Sequence, residues 1–190
     1  YIDSNNGNDS QDGLSQQQAW KTIQKVNAML FKPGDKILFK SGCRWTGQLH
    51  PQGSGAEKRP ICIDKYGKGA LPIISQENLS GTVITLQNQD QWEIRNLEID
   101  GGSDKSAEVV GGIRIEATTA GRVLHHFVVS GCVIRHILGT VKSYESCAIW
   151  VGVPGWDNKN GLTTGFDDVL IENNRIYRSD RTAILVWTTA

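Results

Sequence analysis

The segment Gly112–Ile115, Gly-Ile-Arg-Ile, is one of four similar short segments in which isoleucine holds the second position. The others are Val83–Leu86, Ala148–Val151 and Ala183–Val186, and the four isoleucines follow one another at steps of 29, 36 and 35 residues. Repeats of about 20 to 50 residues are typical of solenoids and propellers. The spacing therefore predicts that one structural unit recurs along the second half of the chain.

A second set of segments repeats in step with the first. Glu93–Ile99, Val128–Ile134 and Leu170–Ile176 align residue by residue, and each ends on isoleucine. The fourth position of this alignment holds Asn96, Gly131 and Asn173. Asparagine and glycine tolerate a left-handed backbone, which a one-residue corner between two short strands requires. Stacked coils with such corners bury isoleucine on isoleucine. We predict an all-β parallel β-helix, with an antiparallel sandwich as the alternative.

The first part of the chain is predicted to contain one helix. Ser15 and Gln18 fit a capping box, and apolar residues then recur at helical spacing until Lys32–Asp35 ends the helix. We predict a single domain over residues 1–190. It comprises an N-terminal segment with a capping helix (1–34), irregular first coils (35–81) and regular coils (82–190) that continue beyond the given chain.

Composition excludes several classes of protein. Twenty basic and 20 acidic residues leave no net charge, so the attraction behind non-specific nucleic-acid binding is missing. No window of about 18 consecutive apolar residues is present, and no membrane span is predicted. The four cysteines have no zinc-site spacing. Two disulfides and free thiols remain equally open for them.

The N-terminal segments resemble a known family. Tyr1–Ser15, Ala19–Ile23, Pro33–Lys40 and Trp45–Leu49 are similar to the first part of secreted bacterial proteins of the pectin-lyase-like superfamily. The resemblance implies a right-handed parallel β-helix, a carbohydrate substrate and a secreted, periplasmic or cell-surface location. It does not decide the reaction, because this superfamily contains polysaccharide lyases, glycoside hydrolases and esterases on one scaffold.

Alternation along the strands predicts which side chains face outward. With the isoleucines inside, one outward column contains Arg114 and Trp150, and the next contains Glu116 and Trp187. Sugar rings stack on aromatic faces, and their hydroxyl groups need polar partners. We therefore predict a glycan groove on this face. The alternative is that the tryptophans only cover the sheet beneath a loop.

Glycoside hydrolysis requires two carboxyl groups that flank the scissile bond. We predict Glu116 and Asp180 as this pair, because they lie two coils apart, about 10 Å along the stack. His136, a histidine at the same edge as Asp180, joins the candidate catalytic residues. The candidate substrate-binding residues are Arg114, Trp150, Trp187, Arg178 and Arg181.

Three functions remain open, in the order glycoside hydrolase, polysaccharide lyase and non-catalytic glycan-binding β-helix. A lyase needs a base and a cation that neutralises a uronate carboxyl, and no acidic calcium cage occurs on the groove columns. The expected partner is a polysaccharide or oligosaccharide, and hydrolysis requires no cofactor. The one candidate for Ca²⁺ is the loop with Asp3, Asn5 and Asp9, and the preferred explanation of this loop is a glycine-asparagine turn alone.

Overall fold

A computed structural model of the chain describes residues 1–77, 80–102, 108–154 and 163–187. The described residues form one short helix, α1 (Ile23–Asn27), and sixteen strands. The strands are β1 (Leu30–Phe31), β2 (Lys36–Lys40), β3 (Arg44–Thr46), β4 (Gln52–Gly53), β5 (Ile61–Tyr66), β6 (Ile73–Ser75), β7 (Gly81–Gln87), β8 (Trp92–Arg95), β9 (Glu98–Asp100), β10 (Val110–Glu116), β11 (Val123–Ser130), β12 (Val133–Ile137), β13 (Cys147–Gly152), β14 (Gly165–Glu172), β15 (Arg175–Ser179) and β16 (Thr182–Trp187).

Three parallel sheets contain nearly all of these strands. Sheet 1 has the order β14-β11-β8-β5-β2, sheet 2 has β15-β12-β9-β6-β3, and sheet 3 has β16-β13-β10-β7. Neighbours in a sheet lie three strands apart in the chain, because the chain visits the three sheets in turn before it returns to the first. Every pairing within these sheets is parallel. The described residues thus have a β-helix-like, all-β architecture, and the antiparallel alternative is wrong.

The predicted isoleucine column is confirmed in sheet 3. Ile113 pairs with Ile84 on one side and Ile149 on the other, and Ile149 pairs with Ile184. The first three are buried, whereas Ile184 is 45% exposed and Val186 is 63% exposed. Both belong to β16, which is one of the two edge strands of this sheet among the described residues. A side chain that points inward is therefore buried only where neighbouring strands cover it.

The predicted corner column is also confirmed. Asn96, Gly131 and Asn173 have φ values of 51°, 67° and 54°. A Cβ atom on Gly131 would lie 2.7 Å from Asn96 Oδ1, so a larger residue there would have to displace the Asn96 side chain. Asn96 also donates its Nδ2 to Asp64 Oδ1 at 2.9 Å, which links two coils. The adjoining sheet 2 column pairs as predicted, with Ile99, Ile134 and Ile176 in register.

The interior between the sheets is apolar. Trp92, Phe39 and Phe127 are among its largest fully buried side chains. All four cysteines are free thiols, which decides between the two alternatives for them. Burial raises the pKa of Cys132 to about 11 and that of Cys147 to about 12. These two thiols are therefore protonated and unreactive at neutral pH.

The helix is shorter than predicted. It begins at Ile23, with Thr22 as its N-cap, and has five residues. Ser15 and Gln18 form only a turn. The predicted start is wrong because the Asp9 carboxylate accepts the backbone N–H of Thr22 and holds that residue in an extended conformation. Within the described ranges, no helix has the length and hydropathy needed to cross a lipid bilayer.

Candidate functional site

Two adjoining cavities lie on the outer face of sheet 3 and share Arg114 as a lining residue. The aromatic cavity, about 750 Å³, is lined by a group that includes Tyr144, Glu145, Trp150 and Trp187. The amide cavity, about 380 Å³, is lined mainly by uncharged polar side chains and includes Gln48, His50, Gln52, Gln87 and Glu116. Together they form the sheet 3 trough, which lies on the face where the outward columns predicted a groove.

Arg114 is held between two carboxylates where the cavities meet. Its Nε donates to Glu116 Oε2 at 2.6 Å, and its Nη1 lies 2.7 Å from Glu145 Oε1. The guanidinium carbon is 4.6 Å from the centre of the Trp150 ring, because Arg114 and Trp150 are register partners. Burial disfavours the charge of Arg114, but its bonds with Glu145 and Glu116 outweigh burial and raise its pKa. Arg114 is therefore a fixed, permanently charged group.

Glu116 and Glu145 differ in exposure. The Glu116 side chain is 7% exposed and the Glu145 side chain is 46% exposed. Gln87, the register partner of Glu116, donates its Nε2 to Glu116 Oε1, so both oxygens of this carboxylate are oriented. Because both carboxylates bind one guanidinium, at 2.6 and 2.7 Å, their bound oxygens lie within about 8 Å of each other. This allows the separation of about 5 to 9.5 Å found between the carboxyl pairs of glycoside hydrolases.

The two predicted tryptophans contribute differently. Trp150 is 5% exposed and packs against the Arg114 guanidinium, so it forms part of the cavity lining and offers little surface for a sugar to stack on. Trp187 is partly exposed, and its ring centroid is 5.3 Å from that of Tyr144. Tyr144 is 54% exposed, and Arg181 lies 4.0 Å from the centre of its ring. Tyr144 was missed by the sequence analysis because it precedes β13, outside the repeated strands.

The structure does not bring together the predicted pair of Glu116 and Asp180. Glu116 is level with Trp187 at the end of β16, whereas Asp180 precedes Thr182 at the start of that strand. Glu116 and Asp180 are therefore separated by about 16 Å along the strand direction. They are also separated by two strand spacings of about 4.8 Å across the sheet. The prediction counted the separation along the stack but not along the strand. The carboxylate that shares a guanidinium with Glu116 is Glu145.

His136 and Arg178 lie on sheet 2, outside the trough. They are neighbours in register, and both have a φ of 57°. His136 Nδ1 is 3.0 Å from Asp100 Oδ1, and Asp100 Oδ2 is 3.0 Å from Arg135 and 3.3 Å from Arg44. Burial opposes ionisation of Asp100, but its bonds with His136 and the charge of Arg135 help to lower its pKa overall. His136 therefore belongs to a buried ionic cluster.

A third cavity, on sheet 1, contains residues that the sequence analysis did not select. His126 Nδ1 is 2.7 Å from Asp168 Oδ2, and its Nε2 is 3.2 Å from Glu93 Oε1. These side chains line a cavity of about 640 Å³. The bonds with Asp168 and Glu93 outweigh burial and raise the pKa of His126. Extending the repeat alignment by three residues places His125 over Asp167 and His126 over Asp168, which is the signal that could have found them.

The predicted calcium loop has other partners for its carboxylates. Asp3 Oδ1 accepts the N–H of Asn5 at 3.0 Å, and Asp3 Oδ2 is 2.6 Å from Lys40 Nζ. Asp9 accepts both the N–H and the hydroxyl of Thr22. In the part of the chain that the structure describes, no group of three His, Cys, Asp or Glu side chains is arranged to hold a metal ion. Asp3 thus closes a turn with Asn5, whereas Asp9 binds Thr22 from thirteen residues away, so the turn alternative describes only Asp3.

No protein-family model matches the sequence. A lacto-N-biosidase of Bifidobacterium longum subsp. longum is 32% identical to the chain over 99 residues. This alignment covers 49% of the chain but only 6% of the length of that relative.

The fold is similar to that of the GH136 lacto-N-biosidase from Eubacterium ramulus. The native crystal structure gives a TM-score of 0.81 and 22% identity, covering 99% of this chain and 36% of that one. The selenomethionine derivative gives a TM-score of 0.77 and 22% identity, covering 95% and 34%. The chain thus spans about a third of the solved chains. At 22% identity the likeness establishes the fold alone, and evidence for a function has to come from the residues of the trough.

Proposed function

We propose that this chain is part of a glycoside hydrolase that binds an oligosaccharide in the sheet 3 trough. The main observation behind this proposal is that Glu116 and Glu145 both bind the guanidinium of Arg114, where the aromatic cavity and the amide cavity meet. Paired carboxyl groups supply the acid and base of glycoside hydrolysis, and aromatic side chains supply stacking surface for sugar rings. The lacto-N-biosidase name of the relative supports the same class of enzyme.

In the proposed reaction, the glycosidic bond lies over Arg114 between the two carboxyl groups. Glu145, which is half-exposed at the mouth and ion-paired in the free protein, takes up a proton from solvent and transfers it to the departing glycosidic oxygen as the bond to the anomeric carbon breaks. Glu116, oriented by Gln87 and Arg114, takes a proton from the water that attacks that carbon. Trp187, with the neighbouring Tyr144 ring, holds the sugar by stacking.

The contacts of Arg114 favour hydrolysis over a lyase reaction. A lyase needs a cation free to neutralise the carboxyl group of a uronate. The charge of Arg114 is already matched by two carboxylates within 2.7 Å. A third carboxylate beside Arg114 would therefore also meet Glu116 and Glu145, so a lyase would have to use Lys142, which lines the aromatic cavity.

We also propose the handedness of the fold, the role of the N-terminal segment and the location of the protein. The coils form a right-handed parallel β-helix, the residues up to Asn27 cap its N-terminal end, and the protein is a bacterial enzyme that acts outside the cytoplasm. The resemblance of the N-terminal segments to the pectin-lyase-like superfamily and the fold of the solved lacto-N-biosidase support this description.

A panel of polysaccharides and oligosaccharides tests the proposed reaction. It includes a glycan that carries a terminal lacto-N-biose unit, in view of the relative's name. New reducing ends without an unsaturated product mean a hydrolase, and both together mean a lyase. Retention of a glycan without cleavage means a binding protein. The proposal fails if no member of the panel is hydrolysed.

A further inference from the structure

The amide cavity presents several open hydrogen-bond acceptors to a ligand. Gln48 and Gln52 donate their Nε2 atoms to backbone oxygens at 3.1 and 3.0 Å, and Gln87 donates its Nε2 to Glu116. No described residue donates to the Oε1 atom of any of these three glutamines. Their carbonyl oxygens are therefore open acceptors for a ligand, and each Nε2 keeps one further N–H.

His50 adds a further acceptor. Its Nε2 is buried and has no hydrogen-bond partner among the described residues. Burial lowers the pKa of His50, and its ring interacts with the backbone carbonyl of Thr82. The neutral ring uses its one N–H toward that carbonyl, so Nε2 carries the lone pair. An unpaired buried acceptor is costly, and a donor from a ligand in the cavity would satisfy it.

We propose that the amide cavity is a subsite for a neutral sugar ring, whose hydroxyl groups donate to His50 Nε2 and to the glutamine carbonyl oxygens. This inference rests on the proposed function, because it extends the same trough past Arg114. The cavity volume of about 380 Å³ lies at the lower end of the range of about 300 to 1,000 Å³ for ligand pockets. A carboxylated sugar fits less well, since it would place a second anion beside the Glu116 carboxylate.

The two cavities recognise different parts of a glycan. The described lining of the amide cavity contains no Trp, Tyr or Phe, so a ring there is held by its hydroxyl edge. The aromatic cavity provides Tyr144 and Trp187 for stacking. Because both cavities are lined by Arg114, an oligosaccharide with one ring in each places its linkage beside Glu116 and Glu145. Binding should therefore strengthen when a glycan is long enough to fill both cavities.

The test is a series of neutral oligosaccharides from one to four rings, based on the glycan that the panel identifies as cleaved or retained. Kd is measured by calorimetry for the wild type, for His50→Phe, which keeps a planar ring but removes Nε2, and for His125→Phe. His125 is the matched control, since it is 51% exposed and lies in the sheet 1 cavity. The wild type and the control should show a gain of about three- to tenfold once both cavities are filled, and His50→Phe should lose that gain.

The outcomes separate the two proposals. Loss of the length-dependent gain only in His50→Phe supports the subsite, even if no variant cleaves the glycan, in which case the hydrolase proposal alone fails. An equal gain in all three proteins overturns the subsite and leaves the hydrolase proposal standing. Absence of any binding overturns both. If circular dichroism shows that His50→Phe is unfolded, Gln52→Met removes a second acceptor of the cavity and takes its place.

Discussion

Arg135 on sheet 2 and Arg114 on sheet 3 are each held between two carboxylates. Arg135 is 2.7 Å from Glu98 and 3.0 Å from Asp100. Arg114 has equally close carboxylate partners, and the two arginine side chains are 19% and 16% exposed. The residue types, distances and burial therefore do not distinguish the two clusters.

The surroundings of the two clusters differ. Arg114 lines both cavities of the sheet 3 trough and stacks on Trp150. Arg135 belongs to the cluster in which the buried carboxylate of Asp100 faces Arg44 and His136 as well. The ion pairs of Arg135 join neighbouring strands of sheet 2 to one another. The ion pairs of Arg114 face open volume beside aromatic rings. Space for a ligand, more than charge, separates the functional hypothesis from the structural one.

The sharpest test of this difference is a pair of identical substitutions. Glu116→Gln should lower turnover of the cleaved oligosaccharide by about 10² to 10⁴, because it removes the proposed base. Glu98→Gln changes an equally arginine-bound carboxylate on sheet 2 and should leave turnover unchanged. Steady-state kinetics on both variants, with folding checked by circular dichroism, decide the matter. Equal losses would show that the two clusters do not differ in function.

The sheet 2 cluster should dominate stability. Asp100→Ala leaves Arg135, Arg44 and His136 without their buried carboxylate and should lower the free energy of unfolding by about 3 kcal/mol. Glu77→Ala is the control, because Glu77 binds the same Arg44 but its side chain is 49% exposed. Its loss should cost less than about 1 kcal/mol. Urea titration measures both values, and similar losses would contradict a special role for Asp100.

The accessible aromatic surface of the trough should contribute to binding more than to turnover. Trp187→Ala should weaken oligosaccharide affinity about fivefold, near 1 kcal/mol, by removal of the stacking face. Tyr177→Ala is the control on sheet 2, where Tyr177 is 38% exposed and stacks on Arg175. The control should bind like the wild type in calorimetry. Unchanged affinity in Trp187→Ala would remove this residue from the site.

The smallest expected effect concerns the sheet 1 cavity and pH. The folded-state pKa of His126 is raised by its bonds with Asp168 and Glu93. Its contribution to stability is therefore complete below the unfolded pKa of about 6.5 and is lost as the pH rises through the folded pKa. The free energy of unfolding should exceed that of His126→Gln by less than about 1 kcal/mol near pH 5.5, and this excess should vanish near pH 9.

His125→Gln is the control for the loss of a neighbouring histidine, because His125 is exposed and does not bridge two carboxylates. Chemical denaturation of the wild type and both variants across this pH range provides the measurement. An excess for His126 that grows with pH would mean that the ring is held neutral, contrary to the contacts with Asp168 and Glu93.

The repeat was predictable because it depends on local properties of the residues. The isoleucines at positions 84, 113, 149 and 184 pair as their spacing indicates. The corner residues Asn96, Gly131 and Asn173 have the left-handed backbone that their residue types permit. The outward direction of Arg114 and Glu116 follows from the same alternation, so the face of the trough was also predictable.

The helix start and the partners within the trough were not predictable in this way. Asp9 holds Thr22 extended from thirteen residues away, which no helical periodicity shows. Tyr144 and Glu145 lie in the loop before β13, where the repeat gives no register. The pairing of Glu116 with Asp180 failed because the alignment shows which coils are adjacent but not how far apart two residues lie along a strand.

The amino-acid sequence by itself determined the repeated parallel strands, their register and the face on which polar and aromatic side chains collect. These features follow from side-chain alternation and from the backbone preferences of asparagine and glycine, which each residue carries with it. Only the tertiary structure decided which carboxylates meet one guanidinium and where open space remains beside them. Those contacts depend on loops that do not repeat and on the lateral position of each residue across neighbouring coils.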